Sequence, residues 1–281
     1  MKLIIVDSHY IAHRTKHALK GLTYAEKQTG VIYGFLNSVK SLWQKFKPCQ
    51  FVFTWDSELS LRREIYPEYK NKKSKEQRKP EDVALDVICM PQFPIIRDEV
   101  LKTLGFRNIF RKLGYEADDI IASIVKERDD PKNTIVISRD NDLWQLLKHT
   151  QMWNPDDKKY LNEKKFTNIH GIKPKQWEMV KCLAGCDGDN VSGIDRCSYI
   201  TATRYLLDSI PHHHKVYQNI ERGKKEIIKR NRKLVVLPFE GVGSFHLRED
   251  KLSLEGFIEV CMQYDFKYWL SNLKPWKDML K

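Results

Sequence analysis

Hydrophobic positions along this chain fall into two periods. Residues 2–6 (KLIIV), 50–54 (QFVFT) and 134–137 (TIVI) are short β-branched or aromatic runs of buried-strand length, and each predicts a strand of an α/β sheet. Elsewhere the spacing is helical. Residues 29–47 predict an amphipathic helix stopped by Pro48, and residues 81–104 a helical segment interrupted around Pro91 and Pro94. Residues 172–183 and the stretch from 194 to 207 predict a helix–turn–helix, and residues 254–270 a helix with Tyr264 to Phe266 near its middle. A small hairpin is expected from 151–153 and 159–161, a short helix between Asp142 and Leu147, and a strand at 234–237.

The predicted strands share a second property, because each is followed by carboxylates. Asp7 follows the first strand, Asp56 the second, and Asp140 and Asp142 the third. Residues 114–125 (GYEADDIIASIV) add Glu116, Asp118 and Asp119 on the first turn of a helix whose remainder is apolar. One such acid is explained by capping of free backbone N–H groups and by the helix dipole. Chance capping at four places is a poor explanation, and mutual repulsion would raise the pKa values of clustered acids unless cations sit among them. A divalent metal ion is the economical answer. The glycine-broken turn at 184–190 carries two more acids, Asp187 and Asp189, for which an Asx-type turn is the plain alternative.

Charge sharpens this picture. The chain of 281 residues has a net charge of +12, yet it gathers its acids into a few places. A basic surface attracts an anionic partner, nucleic acid first, around an acidic centre that holds metal; this is the charge layout of a nuclease. No apolar run approaches a membrane span, and with 41% hydrophobic and 31% charged residues a soluble, cytoplasmic protein without membrane partners is expected. Met1 begins directly on a strand-like run, so no secretion signal is expected. The six cysteines form no CxxC pair and signal neither a disulfide framework nor a zinc ribbon. The three histidines from His212 to His214 read as a solvated loop. Residues 61–79 (LRREIYPEYKNKKSKEQRK) are dense in Arg and Lys with Tyr66 and Tyr69 interleaved, so phosphates can pair with cations while bases stack on rings.

Taken together, IIVDSHYIAHR, TGVIYGFLNSV, FVFTWDS, RREIYPEYKNKK, GYEADDIIASIV, ISRDNDLWQLL and GCDGDN resemble, in order and spacing, the 5′-nuclease or flap endonuclease family, over residues 1 to 270. The family includes stand-alone phage and bacterial 5′–3′ exonucleases and the N-terminal nuclease domain of bacterial DNA polymerase I. The resemblance implies a PIN-like α/β fold with a mostly parallel central sheet flanked by helices, a helical arch at about 57–104 and a helix–three-turn–helix module for duplex DNA. It divides the chain into a catalytic core over 1–170 and a DNA-binding region over 171–281. It also implies two divalent ions, Mg²⁺ first and Mn²⁺ as the alternative. Asp7, Asp56, Glu116 and Asp118 would hold one ion; Asp140, Asp142 and an acid of the GCDGDN turn, Asp187 or Asp189, would hold the other, with Asp119 supporting either. Lys70 resembles the arch-base lysine that contacts the scissile phosphate, and Arg62 or Arg63 its basic partner. Tyr69, Lys72, Lys73 and Arg78 would lie along the DNA. The implied partners are DNA with a 5′ end, flap or nick, an RNA–DNA hybrid as an added substrate, and replication proteins, for a protein acting as a monomer.

Two positions depart from the family pattern. Cys186 stands where the first aspartate of the bacterial G-D-x-S-D-N turn belongs, so either Asp187 takes its place through a one-residue shift or the second ion leans on Asp189 alone. The glycine-rich hairpin that lets backbone N–H groups approach phosphate reads DRCSYI here, with Arg196 and Arg204 as the nearby cations. The competing readings are a PIN-type ribonuclease, against which the long basic segment argues, and a DNA-structure-binding protein with a decayed second metal site, supported by Cys186.

Overall fold

The structure is a computed structural model that describes residues 1–18, 23–24, 27–71 and 79–280. The chain forms two compact units, one of Met1–Trp55, Lys73–Phe110 and His246–Lys281, the other of Asp56–Lys72 and Arg111–Phe245. Both units draw segments from either side of residue 170.

In the first unit β1 (Lys2–Asp7) runs into α1 (Ser8–Ala18), and α2 (Gly30–Phe46) runs into β2 (Cys49–Trp55). β1 and β2 are parallel, in register from Lys2 opposite Cys49 to Asp7 opposite Thr54. Their apolar residues are buried because a parallel pair is covered on both faces. α2 lays Val31, Ile32, Phe35, Leu36, Val39, Leu42 and Phe46 into the core. It ends at Lys47, which Pro48 forces out of the helical region. Thr29 gives no side-chain cap at the other end; instead the distant Gln92 Oε1 accepts from the N–H groups of Val31 and Ile32 at 3.0 and 3.2 Å.

The expected segment at 81–104 is a helix over Pro80–Cys89, a break at Met90 and Pro91, and further helical turns from Gln92 to Thr103. Pro94 interrupts nothing, because it sits in the first turn, where its missing N–H has no intrahelical acceptor. The expectation of one helix over 254–270 is corrected: Leu254–Gln263 is followed by a break, with Asp265 at φ +54°, and Lys267–Ser271 forms a separate helix.

The second unit starts with α3 (Arg62–Ile65) and α4 (Ala117–Arg128). β3 (Thr134–Ile137) pairs in parallel with β4 (Gln151–Asn154), which pairs antiparallel with β5 (Lys159–Leu161), as the predicted hairpin requires. The strands are thus mostly parallel and flanked by helices, as expected for a PIN-like α/β fold. Next come α5 (Pro174–Ala184), α6 (Tyr199–Leu206) and the long α7 (Lys215–Val235). The predicted strand at 234–237 is in fact the last turn of α7 and an extended exit. Leu234 and Val235 pack with Tyr69, Cys182, Cys186 and Val191, and a buried helical stripe read over four residues looks like a strand. Among the described residues no helix is long and apolar enough to cross a membrane.

Candidate functional site

Two acidic corners lie within the second unit, and different elements build them. The first is the N-terminus of α4. Glu116 is its N-cap residue, Asp119 Oδ2 accepts the Glu116 N–H at 3.1 Å, and Asp56 Oδ1 accepts the Ala117 N–H at 2.8 Å. Capping therefore accounts for part of this cluster. The rest is satisfied by cations. Arg62, only 2% exposed, donates through both terminal nitrogens to Asp119 at 2.6 and 2.7 Å and through Nε to the Leu234 carbonyl at 2.8 Å. Asp119 Oδ1 also accepts the Phe239 N–H at 2.7 Å. With two donors on each oxygen, the Asp119 carboxylate has its lone-pair sites filled. Asp119, expected beside the metal, is a structural acid here, and Arg62 is its buried clamp rather than a group free to meet substrate.

Glu116 faces three donors: Ser60 Oγ at 3.3 Å, Tyr69 Oη at 3.0 Å and Lys70 Nζ at 2.8 Å. Tyr69 is buried, so it orients Glu116 and offers no ring to a base. Lys70 has a third of its side chain exposed and also stands 3.6 Å from Asp189 Oδ1. Its backbone is held in the left-handed region at φ +49°, where its N–H donates to the Asp189 carbonyl at 2.8 Å. Arg63 secures that turn by donating to the carbonyls of Tyr69 and Lys70 at 3.1 and 3.2 Å. Burial works against the Lys70 charge, but Glu116, Tyr69, Asp189 and Asp56 outweigh it, so the ammonium pKa lies well above its usual value.

The second corner joins the end of β3 to the turn after α5. Asp140 Oδ1 accepts the Asp142 N–H at 2.8 Å, and the Asp140 N–H donates to Ser138 Oγ at 3.1 Å. Lys181 of α5 is 1% exposed; its ammonium pairs with Asp142 and donates to Asn141 Oδ1 at 3.0 Å and Tyr199 Oη at 2.8 Å. Burial opposes this charge as well, and Asp142 beside it raises the ammonium pKa. Burial pushes Asp142 up to about 6, against the pull of Lys181 and with help from Asp140. Cys186 Sγ lies 3.4 Å from Asp189 Oδ2, and burial pushes its thiol up to about 12.

Among the described residues, Asp142, Cys186 and Asp189 form the group whose ligand atoms all lie within 4.8 Å of one another. Two carboxylates and a sulfur at that spacing fit a divalent cation. Asp187 is exposed and outside this group, as is the exposed Asp140. Asp118, two positions after Glu116, and Asp56, which accepts the Ala117 N–H, are half-buried, while Asp7 belongs to the first unit, where its Oδ1 accepts the Tyr10 N–H at 3.1 Å. Arg196, at φ +60°, and Arg204 are exposed, and Lys72, Lys73 and Arg78 lie outside the described residues. Sequence reasoning passed over Lys181, Asn141, Tyr199 and Ser60. The available signal for Lys181 was a single lysine on a helix face otherwise made of Trp177 and Val180, where a cation needs a buried partner.

The family model for the 5′–3′ exonuclease N-terminal resolvase-like domain matches residues 2–171. The thermostable DNA polymerase I of Thermus thermophilus is 28% identical over 90% of this chain, which spans 28% of that enzyme. The 5′–3′ exonuclease of Aquifex aeolicus is 30% identical over 84% of this chain and 81% of its own length. Among solved structures, the bacteriophage T5 flap endonuclease in a pseudo-enzyme–product complex with DNA and metal ions superposes with a TM-score of 0.70 at 24% identity, covering 85% of this chain and 90% of that one. On the match over most of its length and the agreement of fold, the chain belongs to the 5′–3′ exonuclease family.

Proposed function

We propose that this protein is a divalent-metal-dependent hydrolase that cuts DNA phosphodiesters at 5′ ends and flap junctions. The observation that carries the reading is the meeting of Asp142, Cys186 and Asp189 within 4.8 Å, with the Lys70 ammonium 3.6 Å from Asp189. Asp142 and Asp189, with Cys186 and the neighbouring Asp140, would hold one ion. By family resemblance Asp56, Glu116 and Asp118 are residues for another, with Mg²⁺ as the ion suited to an all-oxygen set. A bound divalent ion makes a hydroxide available near neutral pH and offsets the charge of an in-line transition state.

The protein's own groups do the rest. Lys70 places a positive charge where negative charge develops on the phosphate. Glu116 and the Arg63-braced turn keep that ammonium aimed, and Tyr69 and Ser60 fix Glu116. Lys181 holds Asp142 in place from the buried side. The helices α5 and α6 are the proposed helix–three-turn–helix element, with Arg196 and Arg204 against duplex phosphates. RNA primers are a proposed further substrate, and the net charge of +12 supports a nucleic-acid partner in general.

The test is cleavage of a 5′-labelled flap duplex with Mg²⁺, Mn²⁺ or EDTA by the native chain, Asp140→Asn, Asp187→Asn and Asp189→Asn. Metal-dependent cutting near the junction, lost in Asp140→Asn and Asp189→Asn and kept in Asp187→Asn, is the expected result. Tight binding without cutting would leave a structure-specific binder, and a preference for single-stranded RNA would point to a PIN-type ribonuclease.

A further inference from the structure

The nuclease reading leaves one chemical oddity, the sulfur in the second corner. Its position is built rather than incidental. Gly185–Cys186 pairs antiparallel with Val191–Ser192, and Asp187–Asp189 makes a tight turn between them. Gly185, at φ +76°, admits no side chain, because a Cβ there would collide with the Val191 carbonyl. Gly193 is closed in the same way by the Ala184 carbonyl. The turn therefore presents Cys186 and Asp189 together. Cys186 Sγ stands 3.4 Å from Asp189 Oδ2 and 3.9 Å from Asp142 Oδ2, and the residue is 8% exposed. Lys181 meets the same corner from the buried side: its ammonium pairs with Asp142, donates to Cys186 Sγ at 3.5 Å, and is also held by Asn141 Oδ1 at 3.0 Å and Tyr199 Oη at 2.8 Å.

We propose that Asp142, Cys186 and Asp189 form a mixed oxygen and sulfur site that takes a thiophilic divalent ion, of the class of Zn²⁺, Co²⁺ or Cd²⁺, in preference to Mg²⁺. This rests on the second metal position of the nuclease reading and deepens it by naming the ion. Mg²⁺ is a hard cation that asks for near-octahedral oxygen and gives up water reluctantly. Thiolate sulfur favours softer ions, and among first-row ions affinity rises from Mn²⁺ toward Co²⁺ and beyond. The binding step balances simply: the Cys186 S–H bond breaks, a sulfur–metal bond forms, and one proton passes to solvent for each ion bound.

The test is optical and needs no DNA. Co²⁺ is titrated into the reduced full-length chain, and the near-ultraviolet band of sulfur-to-cobalt charge transfer is followed. Native protein is expected to show the band, to lose it when Zn²⁺ is added, and to keep it in about a hundredfold excess of Mg²⁺. Cys186→Ser and Cys186→Ala, checked as folded by circular dichroism, are expected to lack it. Cys186→Asp is expected to bind Mn²⁺ or Mg²⁺ more tightly than the native chain does. Absence of the band in the native chain, its survival in both Cys186 variants, or its loss to Mg²⁺ would overturn the proposal. Flap cleavage run in parallel separates the two claims: cutting with Mg²⁺ and no sulfur band sinks the ion preference alone, and no cutting with any ion sinks the nuclease reading.

Discussion

The two acidic corners of the second unit contrast in how their charge is balanced. At the α4 corner the balance is internal: Arg62 fills Asp119 from within the core, and Lys70, Tyr69 and Ser60 engage Glu116. At the β3 corner one buried lysine pairs with Asp142 and reaches the buried Cys186, while the half-buried Asp189 and the exposed Asp140 face outward. Burying a charge is tolerated only with partners, so Asp119 with Arg62 reads as a frame and the β3 corner as a receptacle. Lys70 belongs to both, because it reaches Glu116 in the one and Asp189 in the other. The difference teaches that density of acids does not identify a metal site. What matters is which carboxylates still have lone pairs to offer.

The largest effect that bears on this contrast is expected at the frame. Arg62→Ala leaves Asp119 charged, fully buried and without its bidentate partner, and should cost about 3–5 kcal/mol of stability by denaturant unfolding. Retention of native stability would show that the α4 acids do not depend on an internal cation. Lys70→Ala should fold normally and slow cutting by about 10²–10³-fold at saturating substrate, in line with removal of one preorganised donor at developing charge. A variant that weakens DNA binding but keeps the maximal rate would move Lys70 from the chemistry to the grip. Asp187→Asn should change cleavage by less than about threefold, as an exposed surface substitution does, and a loss as deep as that of Asp189→Asn would put Asp187 back among the ligands.

The smallest effect is expected at a histidine in the aromatic cluster beside the β3 corner. His170 sits among Phe166, Trp144 and Trp177, with ring centroids 4.6, 5.2 and 5.5 Å away, and burial lowers its pKa. Its folded-state pKa lies below the unfolded one, so the unfolded chain takes up the proton first. Stability is full above the ordinary histidine range and is lost as pH falls through about 6.5. His170→Phe should remove that part of the slope in thermal unfolding scans between pH 7.5 and pH 5.5 while leaving metal dependence unchanged; an unaltered slope would mean that other groups set it.

The strands and the acids that follow them were legible because period and strand length survive in a single sequence: β1, β2, β3 and the β4–β5 hairpin stand where the apolar runs predict. Helix ends were less so. Leu234 and Val235 look like a strand because a four-residue apolar run spans barely one helical turn and shows no period, and Asp265 breaks a helix through a left-handed conformation that its neighbours do not announce. At the site, the carboxylates were visible and their cations were not. Arg62 lies in a basic run that reads as a solvated or DNA-facing surface, yet its partner Asp119 is 57 positions away, a pairing that only the fold makes. Tyr69 is the same case: interleaved with cations it suggests base stacking, whereas packing against Leu234 and Val235 buries it. Cys186 was conspicuous from the turn motif alone, but which of Asp187 and Asp189 stands beside it depends on the turn's geometry, and the structure brings Asp189.

The most direct test of the central claim is rapid mixing of a preformed complex of the protein and a 5′-labelled flap duplex, assembled in EDTA, with excess Mg²⁺ or Mn²⁺. The account predicts an intact flap before mixing, a single burst of cutting at the junction after it, and no burst from the Asp142→Asn complex. Cutting that proceeds in EDTA, or an equal burst from Asp142→Asn, would contradict it.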